Sequence, residues 1–406
     1  MSVILTTKEV LNEYLKLQKG PKQKSDEWLS IRKKTIGGSE IATVLGLNSF
    51  SSVKQLIAEK VGLTKFNGNL ATRWGNLFET VTRQYTEKIL HMDHKIIDDI
   101  SSIEGIIPRQ RYSPDGLGIV TIDGIDYIIL FEFKAPLNTL PTNTIPCHYL
   151  PQVKTGLLNI NICNYSIFVN NCYRKCSLND FNFTEIYDKT FHKSDLKKRK
   201  YGINKKPSAC GIICFNQTID NYNNIKNKIN SYSMIDDIKS DNDYNEMDTE
   251  ILIDSKDDPI DFGESDENIL NRLFILREKN LVKAYYYPML LNDNTMNTDD
   301  FTKKYKNDII RSFDKLSKKN NKLIVGYLPW KLMISKVIKQ DRDPNWLDVI
   351  KEPVENTLKI IDEILESDNI EETFNKKFKE ETIFNDDLID EIKNFDIISD
   401  DILYQE

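Results

Sequence analysis

Apolar positions along the first ninety residues recur at helical spacing. Leu11, Tyr14, Leu15 and Leu17 make one amphipathic start, and Ile41, Val44 and Leu45 follow a helix opening at Ser39-Glu40 behind Gly37-Gly38. Trp74, Leu77, Phe78, Val81 and Tyr85 then line one face of a helix over 73–90. At residue 117 the period shortens to two. The stretch 117–135 alternates about Asp123-Gly124, which predicts a β-hairpin closed by Pro136. Residues 149–161 return to helical spacing, and 164–171 read as a strand. Beyond 200 the pattern weakens: 216–249 are rich in Asn, Asp, Ser, Lys and Ile and read as a linker or mobile insertion. Order resumes at 268–290 and at 321–366, where LIVGYLP and LMISKVI predict two strands and VENTLKIIDEIL a helix. The last 35 or so residues are acidic and amphipathic.

These elements predict an α/β protein, a mixed central sheet flanked by helices. The expected organisation is a core over 1–200, a partly flexible and acidic insertion over 201–320, closing strands and a helix over 321–366, and an acidic tail over 367–406. The length of 406 residues permits this as one domain with a large insertion. No run reaches about 18 uncharged apolar residues, so no membrane partner is expected. The start, MSVILTTKEVLNEYLK, lacks a basic stretch leading into an apolar one, which points to an intracellular, non-secreted protein. Six cysteines are too dilute for a disulfide scaffold.

The net charge of −7 hides a split. Residues 1–200 hold 27 Lys and Arg against 20 Asp and Glu, leaving 28 against 42 for the remainder of the totals 55 and 62. A basic front half suits an anionic partner, nucleic acid foremost.

The front half also carries the chemistry. Ser113-Pro114-Asp115-Gly116 precedes the hairpin, and Glu132-Phe133-Lys134 lies near its end. Along a strand, side chains alternate, so Glu132 and Lys134 share one face while Phe131 and Phe133 pack on the other. Two acids meeting at one point repel unless a cation joins them. Hard oxygen ligands call for Mg²⁺, with Mn²⁺ as a substitute. A lysine beside them orients a water or stabilises charge on a phosphate in transfer. Pro-Asp followed by acid-x-Lys is the signature of the PD-(D/E)xK nuclease fold. By composition alone it arises in about one chain in five of this length; what raises its weight is the apolar strand around it, with a Glu-bearing helix before and a Gln-bearing helix after.

The order of motifs extends further. Trp28-x3-Arg32, Ile36-Gly37-Gly38-Ser39-Glu40-Ile41, Gly75-Asn76-x2-Glu79, Ser113-Pro114-Asp115-Gly116, Glu132-Phe133-Lys134 and Leu150-Pro151-Gln152-Val153 together resemble the YqaJ-type viral recombinases, the lambda exonuclease family. GYLPWKLMISKVIKQDRDPNW is similar to that family's closing strands. The resemblance implies a Mg²⁺-dependent exonuclease that degrades linear double-stranded DNA from 5′ ends to 5′-mononucleotides in viral recombination, repair or replication. It implies a single-strand annealing protein as partner, and a homo-oligomer, since the family includes a ring-shaped trimer. A viral origin would place it in the host cytoplasm or nucleus. Carried over residue by residue, Asp115, Glu132 and the Phe133 carbonyl would hold the metal. Glu79 would hold the metal or its water, Lys134 would position and activate the attacking water, and Gln152 would lie beside the scissile phosphate or the lysine. Arg32, Ser39 and Ser113 would line a pocket for the terminal 5′-phosphate, a job suited to a fork-shaped cation between hydroxyls.

Plainer readings stand beside these. Glu79 suits an exposed helix charge, Asp115 ordinary turn chemistry, Ser39 a helix cap and Arg32 a surface pair with Glu27 or Asp26. Trp28 reads as core packing. Cys172-x3-Cys176 and Cys210-x3-Cys214 lack the usual zinc spacing and read as buried reduced thiols; His91-x2-His94 is a weaker pattern still. The run Lys197-Lys198-Arg199-Lys200 suits phosphate contact, a nuclear address or a solvated loop. At the level of function, a structure-specific or nicking DNA endonuclease uses the same metal site, and a catalytically idle nucleic-acid-binding protein is the alternative from another class. RNA as substrate also stays open.

Overall fold

A computed structural model describes residues 5–18, 20, 21, 23, 25–65, 67–184, 206–218, 259–292 and 298–380. The chain opens with α1 (Thr7–Leu17) and α2 (Asp26–Lys33), then β1 (Ile36–Gly37), α3 (Ile41–Val44), α4 (Val53–Lys60) and the long α5 (Leu70–Ile89). Next come β2 (Ile103–Glu104), β3 (Gln110–Tyr112), the hairpin β4 (Gly116–Ile122) and β5 (Ile125–Lys134), α6 (Leu150–Asn159) and β6 (Tyr165–Lys175). The remainder holds β7 (Ala209–Thr218), β8 (Ile260–Asp261), α7 (Glu267–Glu278), β9 (Lys283–Tyr286), β10 (Leu290–Leu291), α8 (Thr298–Lys319), β11 (Lys322–Gln340), α9 (Trp346–Leu365) and α10 (Ile370–Glu380).

The hairpin forms where Asp123-Gly124 predicts it. Both residues take positive φ, 52° and 77°, the geometry of a tight two-residue turn, and Ile122 pairs with Ile125. From β5 the chain crosses through α6 to β6, which pairs with β5 in parallel. β6 then pairs antiparallel with β11, and β11 with β7, giving the order β10-β7-β11-β6-β5-β4 in an eight-stranded mixed sheet. A small sheet, β1-β3-β2, stands apart and carries the entry to the hairpin. Helices cover both sides of the main sheet. Leu328 and Trp330 join α5 and α7 in one apolar cluster, whereas Tyr327, one residue from Leu328, joins α8 in another. This is the α/β architecture expected from the sequence, a mixed sheet flanked by helices, with a hairpin, a crossover helix and a parallel strand. Among the described residues no helix is long and apolar enough to cross a membrane.

Two expectations need correction. LIVGYLP and LMISKVI are one strand of 19 residues, with register shifts at Ile324/Gly326 and Leu332/Ile334. Pro329 is tolerated inside it because the β6 ladder begins at Trp330–Lys175; the Pro329 carbonyl accepts from the Cys176 N–H just beyond that ladder. The 201–320 segment is also less separate than an insertion suggests. It supplies β7, paired along β11, and α7, packed against α5. Residues 219–258, which hold most of the expected linker and acidic run, lie outside the described residues, as do 185–205 with Lys197–Lys200 and the end of the tail from 381.

Candidate active site

The hairpin brings its first and last residues together. Gly116 pairs with Phe131, so Asp115 stands across from Glu132, and its Oδ2 accepts the Phe133 N–H at 2.8 Å. Glu132 is wholly buried. Its Oε1 accepts from Lys134 Nζ and from Gln152 Nε2, each at 2.5 Å, and its Oε2 accepts from the Tyr112 hydroxyl at 2.7 Å. Burial first, and then the charge of Asp115, pushes the Glu132 carboxyl up to about 8, with Lys134 and the hydrogen bonds pulling the other way. For Lys134 burial works to lower the pKa, but the two carboxylates outweigh it and hold the ammonium charged. Its Nζ also lies 5.2 Å from the centre of the Tyr149 ring.

Tyr112 is a member of this site that sequence reading missed. Its ring is buried between two backbones that carry no side chain: a Cβ at Gly38 would fall 2.4 Å from its Cδ2, and one at Gly156 2.5 Å from its Cζ. Burial, and after it the charge of Glu132, keeps the phenol protonated, so it donates to Glu132. The available signal was its position, three residues before Asp115 on the strand that enters the hairpin.

Next to the carboxylates is a cavity of about 60 Å³. Arg32, Ser39 and Ser113, the three residues expected to meet a terminal phosphate, all line it. So do Tyr112 and Gln152, both of which bond to Glu132. Trp28 is a wall of this cavity and only half buried, rather than core packing. Its Nε1 donates to Ser113 Oγ at 3.2 Å, and the Arg32 guanidinium stands 5.0 Å from its ring centre. Arg32 approaches Glu40 at 3.5 Å, in place of the surface pair with Glu27 or Asp26.

Two further cations were not foreseen. Arg111 faces the cavity with Nε and Nη2 held by the hydroxyl and carbonyl oxygens of Ser102, at 3.1 and 2.7 Å. Lys60 is buried beneath the cavity wall. It donates to the carbonyls of Arg32 and Thr35, each at 2.7 Å, and to Glu40. Burial lowers its pKa while Glu40 opposes the shift. Nothing local marks either residue, since each acquires its role through partners up to 28 positions away.

Glu79 is not gathered with the other acids. Among the described residues no group of three or more His, Cys, Asp or Glu comes together as a metal site. Glu79 lies on α5 one turn beyond Gly75, the position that approaches the Ala135 carbonyl, and its charge is felt by Tyr286. Cys172, Cys176, Cys210 and Cys214 are buried, and none of the four is in a disulfide.

The Gln152 helix is tied to the segment that joins β11 to α9. Arg342 donates to the carbonyls of Leu157, Ile160 and Cys163 around the C-terminus of α6, and Lys154 pairs with Asp343 at 2.8 Å. Trp346 Nε1 adds a bond to Thr155 at 3.0 Å.

Residues 27–159 match the model of the YqaJ-like viral recombinase domain. The chain is also similar to a protein of African swine fever virus, known from several isolates. With the version from the Vero-adapted Badajoz strain the identity is 33% over 181 residues, covering 39% of this chain and 52% of the relative. With the version from a Malawi tick isolate it is 30% over 195 residues, covering 42% and 56%. The chain thus spans about half the length of the curated relatives it matches. Among solved structures it is similar to LHK-Exo in complex with dAMP, at 21% identity and a TM-score of 0.29, covering 36% of this chain and 74% of that one. A second crystal structure, of the alkaline exonuclease LHK-Exo from Laribacter hongkongensis, gives 22% and 0.28. The residues that match the YqaJ-like viral recombinase domain include Arg32, Ser39, Glu79, Ser113, Asp115, Glu132, Lys134 and Gln152.

Proposed function

We propose that the protein is a metal-dependent deoxyribonuclease that hydrolyses linear double-stranded DNA from 5′ ends to 5′-mononucleotides, in viral recombination, repair or replication. The observation that carries this reading is a shared wall. Tyr112 and Gln152 bond to the buried carboxylate of Glu132 and also line the cavity that holds Arg32, Ser39 and Ser113. A phosphate seated there would stand beside the next phosphodiester along the strand.

The donor set fits Mg²⁺, with Mn²⁺ as a substitute. Asp115 and Glu132 bring two hard carboxylates to one place, and burial first, then the Asp115 charge, makes ionised Glu132 unfavourable even with Lys134 beside it. Asp115, Glu132 and the Phe133 carbonyl would hold the ion, which when bound would stabilise negative charge developing on the phosphate. Glu79 is assigned to a metal-bound water rather than to the ion itself, in keeping with its place outside the carboxylate pair. Lys134 orients and activates the water, and Gln152 steadies Glu132 and the scissile phosphate. Attack at phosphorus breaks the bond to the 3′-oxygen and leaves a new 5′-phosphate on the remaining strand, the group that Arg32 would bind for the next cut. An annealing partner and a homo-oligomer belong to the same proposal.

The test is digestion of linear duplex DNA with and without a 5′-phosphate, beside a closed circle, in Mg²⁺ and in EDTA, with Lys134→Ala as control. The expected result is metal-dependent release of mononucleotides from the linear DNA, faster from phosphorylated ends, with the circle spared. Cut or nicked circles would replace this reading with an endonuclease. Absence of metal-dependent cleavage of both would leave a binding protein.

A further inference from the structure

Phe50 is 72% exposed, and among the large apolar side chains of the described residues only Leu17 is more so. Its loop is built to hold it there. Asn48 Nδ2 donates to Thr43 Oγ1 at 2.8 Å, Asn48 Oδ1 accepts the Phe50 N–H at 3.0 Å, and Ser52 caps the helix that follows. The Phe50 ring meets His148 edge-on, centroids 5.4 Å apart. His148 in turn lies 4.1 Å from Tyr149, and Tyr149 lies under the ammonium of Lys134 at 5.2 Å. Phe168, buried in β6, anchors Tyr149 from below at 5.8 Å. A row of rings therefore runs from the surface to the lysine beside the catalytic carboxylates.

We infer that Phe50 and His148 form a stacking platform for a nucleobase at the end of the strand being cut. The inference rests on the nuclease reading above and deepens it. Every base has a π-face, so stacking on rings accepts any sequence, as a nuclease that removes successive nucleotides requires. A base lying on Phe50 is separated from Lys134 by only two intervening rings, His148 and Tyr149. The platform holds a base after it leaves the duplex stack, which offsets part of the cost of unpairing the end.

The experiment compares Phe50→Ala, Phe50→Leu and Phe50→Trp with the unaltered protein on two duplexes, one with fully paired ends and one with mismatched terminal pairs. Thermal unfolding is measured alongside, and an exposed side chain predicts an unchanged midpoint. Phe50→Ala and Phe50→Leu are expected to slow hydrolysis of paired ends about tenfold or more. Mismatched ends lose much less, and Phe50→Trp restores the rate on paired ends. Equal loss on both duplexes, no loss on either, or failure of the tryptophan variant where leucine succeeds would overturn the platform. If the unaltered protein shows no metal-dependent cleavage, the nuclease reading itself falls, a result distinct from all of these.

Discussion

Two of the places where the sheet buries a charged side chain, at Glu132 and at Lys331, differ in what surrounds them. At the end of the β4–β5 hairpin, Lys134 and Glu132 meet each other, Asp115, Tyr112 and Gln152 beside an open cavity. In the long strand β11, Lys331 is 1% exposed and, among the described residues, bonds to neutral oxygens, Asn182 Oδ1 at 3.0 Å and the Thr184 carbonyl at 3.1 Å. Its neighbours are the buried thiols Cys176 and Cys210, and burial lowers its pKa. Burial of a charge therefore does not by itself make a site. The hairpin qualifies because opposing charges converge where a substrate has room, whereas β11 satisfies a single ammonium and closes over it.

The contrast can be broken most severely at Lys134 and Glu132. Lys134→Ala or Glu132→Gln is expected to slow DNA hydrolysis by about 10²–10⁴-fold, with circular dichroism showing the fold retained, while Lys331→Met leaves the rate unchanged. A large loss from Lys331→Met would show that the two burials are not different in kind. A smaller effect is expected in the cavity. Arg32→Ala should reduce the preference for 5′-phosphoryl over 5′-hydroxyl ends by about ten- to a hundredfold, in line with losing a charged hydrogen bond. Rates on hydroxyl ends should change little.

At the tip of the same hairpin, away from the carboxylates, Gly124→Ala should cost about 1–2 kcal/mol in urea unfolding, because φ there is 77°. Hydrolysis should be untouched. The smallest effect is at β11: Lys331→Met should raise stability by about 1 kcal/mol at neutral pH, by removing a buried charge whose hydrogen bonds among the described residues go to neutral oxygens. The sign with pH follows from the lowered pKa. The folded state disfavours the ammonium, so its cost is fully present below the folded pKa and fades as pH rises towards the ordinary lysine value. The advantage of the variant should shrink as unfolding is repeated at alkaline pH.

What the sequence made legible was local. The Asp123-Gly124 turn set the hairpin register, and that register brought Asp115 opposite Glu132. Alternation placed Lys134 on the Glu132 face, and the resemblance to the recombinase family pointed to Arg32, Ser39, Ser113 and Gln152. The residues that escaped notice work through distant partners. Lys60 reaches two carbonyls on another helix end, Arg342 holds the last turn of α6, and Tyr112 enters between Gly38 and Gly156. Trp28 was misread because an indole at helical spacing looks like core until a cavity is found against it. Glu79 follows the motif order and lies on α5. β11 was divided in two because a proline interrupts it, and only pairing on both sides reveals that its missing N–H falls beyond the end of a ladder.

The central claim is that the phosphate cavity and the carboxylate pair form one site. Its most direct test is the initial rate of mononucleotide release in Mg²⁺ from duplex ends bearing either a 5′-phosphate or a 5′-hydroxyl, compared between the unaltered protein and Arg32→Ala. The account predicts a strong preference for the phosphate that Arg32→Ala abolishes while hydrolysis continues. Equal rates from both ends in the unaltered protein would contradict it.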